Sequence, residues 1–179
     1  MKFRTKDLCY TALTAVLIAV CSWLSVPTAV PFTMQTFAVF FALELLGGAR
    51  GTAAVAIYLL LGAVGVPVFA GFTGGLGILF GATGDYLLGF LLTGLCYWLL
   101  ARPDGVLWRR VAALLLGLLL CYGFGTFWFM QVYSRANGPL GLMTALGWCV
   151  FPFLLPDALK LVLALTLSAR VRPLLKLEE

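Results

Sequence analysis

The sequence predicts an all-α integral membrane protein of about six transmembrane helices, and three observations carry that expectation. Hydrophobic residues make up 63% of the 179-residue chain and charged residues only 11%, whereas a soluble domain carries about 25% charged residues. With a mean hydropathy of +1.06, the chain has too few polar side chains to cover a water-facing globule, so its outer surface must meet lipid. Second, the charged residues sit mostly in short clusters between long apolar runs, the pattern of loops between membrane spans. Third, the basic residues fall in alternate loops. With the N-terminus inside, Lys2, Arg4, Lys6, Arg50, Arg102, Arg109, Arg110, Arg170, Arg172 and Lys176, ten of the twelve, share the cytoplasmic side. Only Arg135 is left outside, and Lys160 lies within the last span. Both termini are therefore expected in the cytoplasm, which requires an even number of spans.

The spans follow from the apolar runs and the breakers between them. Span one, 8–25, follows a basic start that imitates a signal peptide. Its 17-residue run Leu8 to Leu24 exceeds an h-region of about 7–15, and Ser22-Trp23-Leu24-Ser25 offers no small-residue cleavage pattern, so it is read as retained. Within it Thr11, Ala15 and Ala19, spaced by four, form a small-residue stripe along which another helix can pack, inside the chain or from a partner. Spans two and three, 34–47 and 52–66, are short for a bilayer crossing of about 20 residues. Spans four, five and six follow at 84–101, 107–133 and 143–170. No repeat or interdomain linker interrupts them, so residues 1–179 read as a single polytopic domain.

Two outward loops differ from the basic inner ones. Residues 26–33 carry two prolines, which end span one and favour extended backbone. Residues 62–84 contain eight glycines yet stay apolar through Val66, Val68, Phe69, Phe72, Leu76, Ile78, Leu79 and Phe80. A flexible linker would be polar and serine-rich, so this loop is expected to pack, either as a tight turn between spans or as a lid over a cavity, where irregular backbone is tolerated at membrane depth.

Several chemistries are excluded. Histidine is absent, which removes imidazole ligands and histidine bases. The five cysteines are distant from one another and read as packing residues, so neither a disulfide framework nor a metal site is expected. Gly75-Leu76-Gly77 is followed by Phe80 where a dinucleotide motif needs glycine, and no Walker motif exists. No cofactor is expected, and the scattered basic residues form no stripe for nucleic acid.

The candidate site residues are the polar groups within or beside spans. Asp157 and Lys160, three apart on a helix, share one face. A lone charge in hydrocarbon costs about 2.5–3.5 kcal/mol on insertion scales, so the two face each other or a cavity. As a mutually neutralising pair they would lock span six in place. As a site they would suit a ligand with a carboxylate and amide-like donors. Gln35 and Tyr86 lie on the outer side and each offers a hydrogen bond, as interfacial residues or as ligand contacts. Glu44 is expected to pair with Arg50 across the turn or to snorkel, and Asp85 to cap span four.

The segment Tyr58-Leu-Leu-Leu-Gly62-Ala-Val-Gly65-Val-Pro67-Val-Phe69-Ala-Gly71, with Phe80-Gly81-Ala82-Thr83-Gly84-Asp85-Tyr86-Leu87-Leu88-Gly89-Phe90, resembles the BioY family. Val30-Pro31-Phe32-Thr33-Met34-Gln35-Thr36 and Asp157-x-x-Lys160 match the same family, so the resemblance covers most of 10–172. It implies the substrate-specific subunit of an energy-coupling factor (ECF) transporter in a bacterial cell membrane, binding biotin on its outer side beneath the two loops and performing no chemistry. Asp157 and Lys160 carry over as ligand-binding residues, with Gln35, Tyr86 and Phe69 as further contacts in a site walled by apolar and aromatic groups. A transmembrane coupling subunit and two ATPase subunits would supply the energy, docking on the stripe that contains Ala15 and Ala19. Ala82 and Asp85 depart from the family's usual G-P-T-G-G-Y and affect the loop's mobility and the ligand affinity. The alternatives are a related subunit for another vitamin and an intramembrane enzyme pairing Asp157 with Asp85.

Overall fold

A computed structural model describes residues 5–26, 32–81, 84–102 and 104–175. The expectations that fall on Lys2, Arg4, Lys176, Ala82 and the segment 27–31 lie outside these residues. Among the described residues eight α-helices run in chain order: α1 (Thr5–Trp23), α2 (Gln35–Leu46), α3 (Gly48–Ala63), α4 (Leu76–Leu79), α5 (Gly84–Leu100), α6 (Leu107–Asn137), α7 (Leu142–Cys149) and α8 (Phe151–Leu175). Between α1 and α2 a two-residue antiparallel pair, β1 (Ser25–Val26) and β2 (Phe32–Thr33), adds a minor β element to the expected helices. Thr5–Trp23, Leu107–Asn137 and Leu142–Leu175 are each long and apolar enough to cross a membrane, and α2, α3 and α5 are shorter apolar helices.

The centre of the molecule is α2, in which every residue is buried. A helix apolar all round belongs in a core, and α2 packs against α1, α3, α5 and α8. Small residues set how closely the others approach, as they do where helices meet in lipid. A Cβ on Gly89 would meet Cys121 of α6, and one on Gly117 would meet Thr93 of α5. The Thr93 hydroxyl reaches the carbonyls of Gly89, at 3.1 Å, and of Gly117, at 3.0 Å, tying α5 to α6.

Span six is two helices rather than one. Val150 leaves helical geometry at φ −127° and ψ −56°. Pro152 accounts for the break, because its ring supplies no N–H to continue the ladder of α7 and is tolerated in the first turn of a new helix, α8. The amide of Phe153 then bonds to the Val150 carbonyl at 2.9 Å, which frees the carbonyl of Cys149. The helices of the other expected spans match their bounds to within a few residues, the largest shifts being at the start of α3, which takes in Gly48-Ala49-Arg50-Gly51, and at the end of α6, which runs on to Asn137.

Among the described residues three ion pairs gather at one end: Arg50 with Asp7 at 3.0 Å, Arg110 with Glu44, and Arg172 with Asp104. They tie the start of α1 to α3, the end of α2 to α6, and the end of α8 to the α5–α6 turn. The expected partnership of Glu44 with Arg50 is thereby corrected, since α6 brings Arg110 closer than the short turn brings Arg50. Asp85 does not cap α5. It is fully buried, and neither carboxylate oxygen makes a hydrogen bond among the described residues. The small-residue stripe is also consumed within the chain. Thr11, Ala15 and Ala19 are 3%, 2% and 5% exposed, and the two alanines belong to the core shared with α2 and α3. Their smallness lets α1 sit close to its own neighbours.

Candidate ligand-binding site

At the end opposite the ion pairs lies a cavity of about 280 Å³, at the lower edge of the range of about 300–1,000 Å³ typical of small-molecule sites. All five residues singled out in the sequence, Gln35, Phe69, Tyr86, Asp157 and Lys160, line it. They arrive from the start of α2, the loop after α3, the start of α5 and the first half of α8.

The floor is charged and organised. Lys160 Nζ donates to Asp157 Oδ1 at 2.8 Å, and the Tyr122 hydroxyl donates to Asp157 Oδ2 at 2.6 Å. The ammonium also sits 4.1 Å from the centroid of the Phe32 ring, a cation–π contact supplied by β2. Both carboxylate oxygens of Asp157 are thus engaged, which fixes its orientation. Each oxygen keeps a further lone pair, and Lys160 keeps two N–H groups for a ligand. Asp157 and Lys160 are 2% and 4% exposed, so any hydrogen bond made there forms away from bulk water.

The walls are apolar and aromatic, with Phe69, Phe90, Leu118 and Phe153 among them. Two polar groups stand on the rim. Gln35 Nε2 donates to the Tyr58 hydroxyl at 3.0 Å, and the Tyr86 hydroxyl reaches the Cys149 carbonyl, freed by the α7–α8 break, at 3.5 Å.

The glycine-rich loop packs, as expected. Gly75 N donates to Gly62 O at 2.6 Å, folding the first half of the loop back on its start, and a bridge pairs Phe69 with Thr73. Gly62 has no Cβ to obstruct the ring of Phe69, which lies where one would be. Two side chains of α1 hold the loop from outside: Ser22 Oγ donates to Val68 O at 2.6 Å and Trp23 Nε1 to Pro67 O at 3.0 Å. At the tip Phe72 has a positive φ of 56°, a conformation rare outside glycine. Its ring stacks on Trp23 at 4.9 Å, which holds it there.

Tyr122, Tyr58 and Phe32 are the site-forming residues that the sequence reading missed. Tyr122 carried a signal, since a hydroxyl in the middle of an apolar span needs a partner where there is no water. Phe32 and Tyr58 lay within the segments that resemble the family, but nothing in the residues themselves set them apart as site-forming. Asp85 is not among the described residues that line the cavity, so it does not share the cavity with Asp157. All five cysteines are free, and no cluster of metal-ligating side chains occurs among the described residues.

Fold and site define an all-helical membrane protein with a ligand-sized cavity whose polar groups are fixed by their own hydrogen bonds. A profile of the BioY family matches residues 1–177. Similar relatives include the biotin transporter BioY of Thermotoga maritima, 40% identical over 159 residues that cover 88% of this chain and 90% of the relative. The biotin transporter BioY2 of Lactococcus lactis is 37% identical over 157 residues, 85% of this chain and 82% of that one. Among solved structures, the S-component for biotin from an ECF-type ABC transporter superposes with a TM-score of 0.80 at 25% identity, over 96% of this chain and 95% of that one. The chain belongs to the BioY family.

Proposed function

We propose that this protein captures biotin as the substrate-specific membrane subunit of an ECF-type ABC transporter, with no chemistry performed on the ligand. The observation that carries the reading is the convergence of Gln35, Phe69, Tyr86, Asp157 and Lys160 on one cavity, in a fold shared with an S-component for biotin. Biotin offers a carboxylate, a ureido ring with two N–H groups and a carbonyl, and an apolar bicycle. The free N–H groups of Lys160 suit the carboxylate, the remaining lone pairs of Asp157 and the amide of Gln35 suit the ureido edge, and the aromatic walls suit the bicycle.

In this reading residues 1–179 form one domain of six membrane spans with both termini in the cytoplasm. The end with the three ion pairs then faces inward and the cavity outward, in keeping with the side on which the basic residues fall. The 62–84 loop acts as the lid, and its pins to α1 are the contacts that opening would break. A transmembrane coupling subunit and two ATPase subunits energise release inward. They dock elsewhere than at Ala15 and Ala19, which the chain itself buries. The test is biotin-dependent thermal stabilisation of the purified chain in detergent. A rise in Tm with biotin but not with other vitamins is expected, and stabilisation by a different vitamin alone overturns the assignment.

A further inference from the structure

We infer that Tyr58 is a positioning residue that sets the amide of Gln35 so that its carbonyl oxygen is presented to the ligand, making Gln35 an acceptor for a ligand N–H. This rests on the reading of the cavity as a biotin site. Tyr58 does not line the cavity and is 1% exposed. It stands behind two residues that do. Its hydroxyl is 3.0 Å from Gln35 Nε2, and its ring meets Phe69 edge-on at 5.5 Å.

Nε2 of Gln35 carries only N–H groups, so in this hydrogen bond it donates and the Tyr58 oxygen accepts. The amide has only two ends. When Nε2 is held at Tyr58, Oε1 points the other way, on the side of Gln35 that lines the cavity. Tyr58, held edge-on against Phe69, thus dictates which half of the amide the ligand meets.

The ligand chemistry that fits is a ureido or amide N–H rather than a carbonyl. The experiment measures biotin affinity by calorimetry for the wild type, Tyr58→Phe, Gln35→Leu and the double variant, and repeats it with biotins methylated at each ureido nitrogen. Tyr58→Phe keeps the ring against Phe69 and frees the amide to rotate. It should weaken biotin about tenfold, the scale of one hydrogen bond to a buried neutral group, with apo Tm little changed. In the double variant the loss should equal that of Gln35→Leu alone, and Tyr58→Phe should narrow the wild-type discrimination against one methylated biotin. Should Tyr58→Phe not be recovered folded, Gln35→Glu, which keeps an oxygen towards the ligand, takes its place: it should bind biotin more tightly than Gln35→Leu, and equal losses in the two overturn the inference. Losses that add in the double variant, or a Tyr58→Phe affinity within twofold of wild type, overturn this inference alone. A wild-type chain indifferent to biotin overturns it together with the proposed function.

Discussion

Removing the two charges beneath the cavity separates scaffold from binding site. Lys160→Met leaves Asp157 buried with only the Tyr122 hydroxyl against it, and Asp157→Asn leaves Lys160 with the Phe32 ring as its main charge complement. Breaking one partner of a buried pair costs about 3–5 kcal/mol, which at about 2–4 °C per kcal/mol for a chain of this size lowers Tm by roughly 6–20 °C. The double variant removes both charges and should recover most of that loss, because two neutral side chains no longer need each other. Biotin affinity should not recover with it. Each hydrogen bond to the ligand lost at a site this buried costs about 1–3 kcal/mol, so the double variant should bind at least a hundredfold more weakly. The assay pairs a melting curve of the detergent-solubilised chain with calorimetric titration of biotin for all four proteins. A stable double variant that binds biotin like the wild type would refute the reasoning and leave the pair as scaffold.

Four further outcomes follow from the geometry. Tyr122→Phe keeps the ring but removes the 2.6 Å hydrogen bond to Asp157, and affinity should fall about five- to tenfold; an unchanged titration would detach Tyr122 from the site. Gly62→Val forces a side chain onto the Phe69 ring, so it should weaken biotin binding and expose the loop to limited proteolysis, whereas wild-type resistance would mean that the loop has room to yield. Ala15→Leu and Ala19→Leu overpack a buried face and should destabilise the isolated chain by about 1–3 kcal/mol each, seen as a lower Tm; an unaltered Tm would return the stripe to the surface. For topology, single cysteines at Gly77, which has open space around its Cα, and at Arg170 should label from opposite sides of the membrane in a cysteine-free background. Equal labelling of both from outside would overturn the orientation.

Much of this was legible in the sequence because a bilayer enforces simple rules. Apolar runs gave the helices to within a few residues, and ionisable groups inside a span pointed to Asp157 and Lys160, where burial is tolerated only with partners. Gln35, Phe69 and Tyr86 came from the resemblance together with their outer position, and all three line the cavity. What stayed hidden is set by how helices rotate and cross. The 3.6-residue period says that Thr11, Ala15 and Ala19 share a face, but not that α2 and α3 cover it. Proximity in sequence suggested Arg50 for Glu44, while a helix about seventy residues further on brought Arg110. The break at Val150 was foreseeable from Pro152, yet its consequence, a freed Cys149 carbonyl beside Tyr86, depends on where α5 lies.

The central claim is that the cavity built by Gln35, Phe69, Tyr86, Asp157 and Lys160 holds biotin, and calorimetry on the purified wild-type chain, without any other subunit, tests it most directly. Saturable one-to-one binding is expected, with a negative heat-capacity change as the apolar bicycle leaves water, and with the carboxylate preferred over biotin amide in the wild type but not in Lys160→Met. The absence of saturable heat from a folded, monodisperse sample, or a titration unaffected by Lys160→Met, would contradict it.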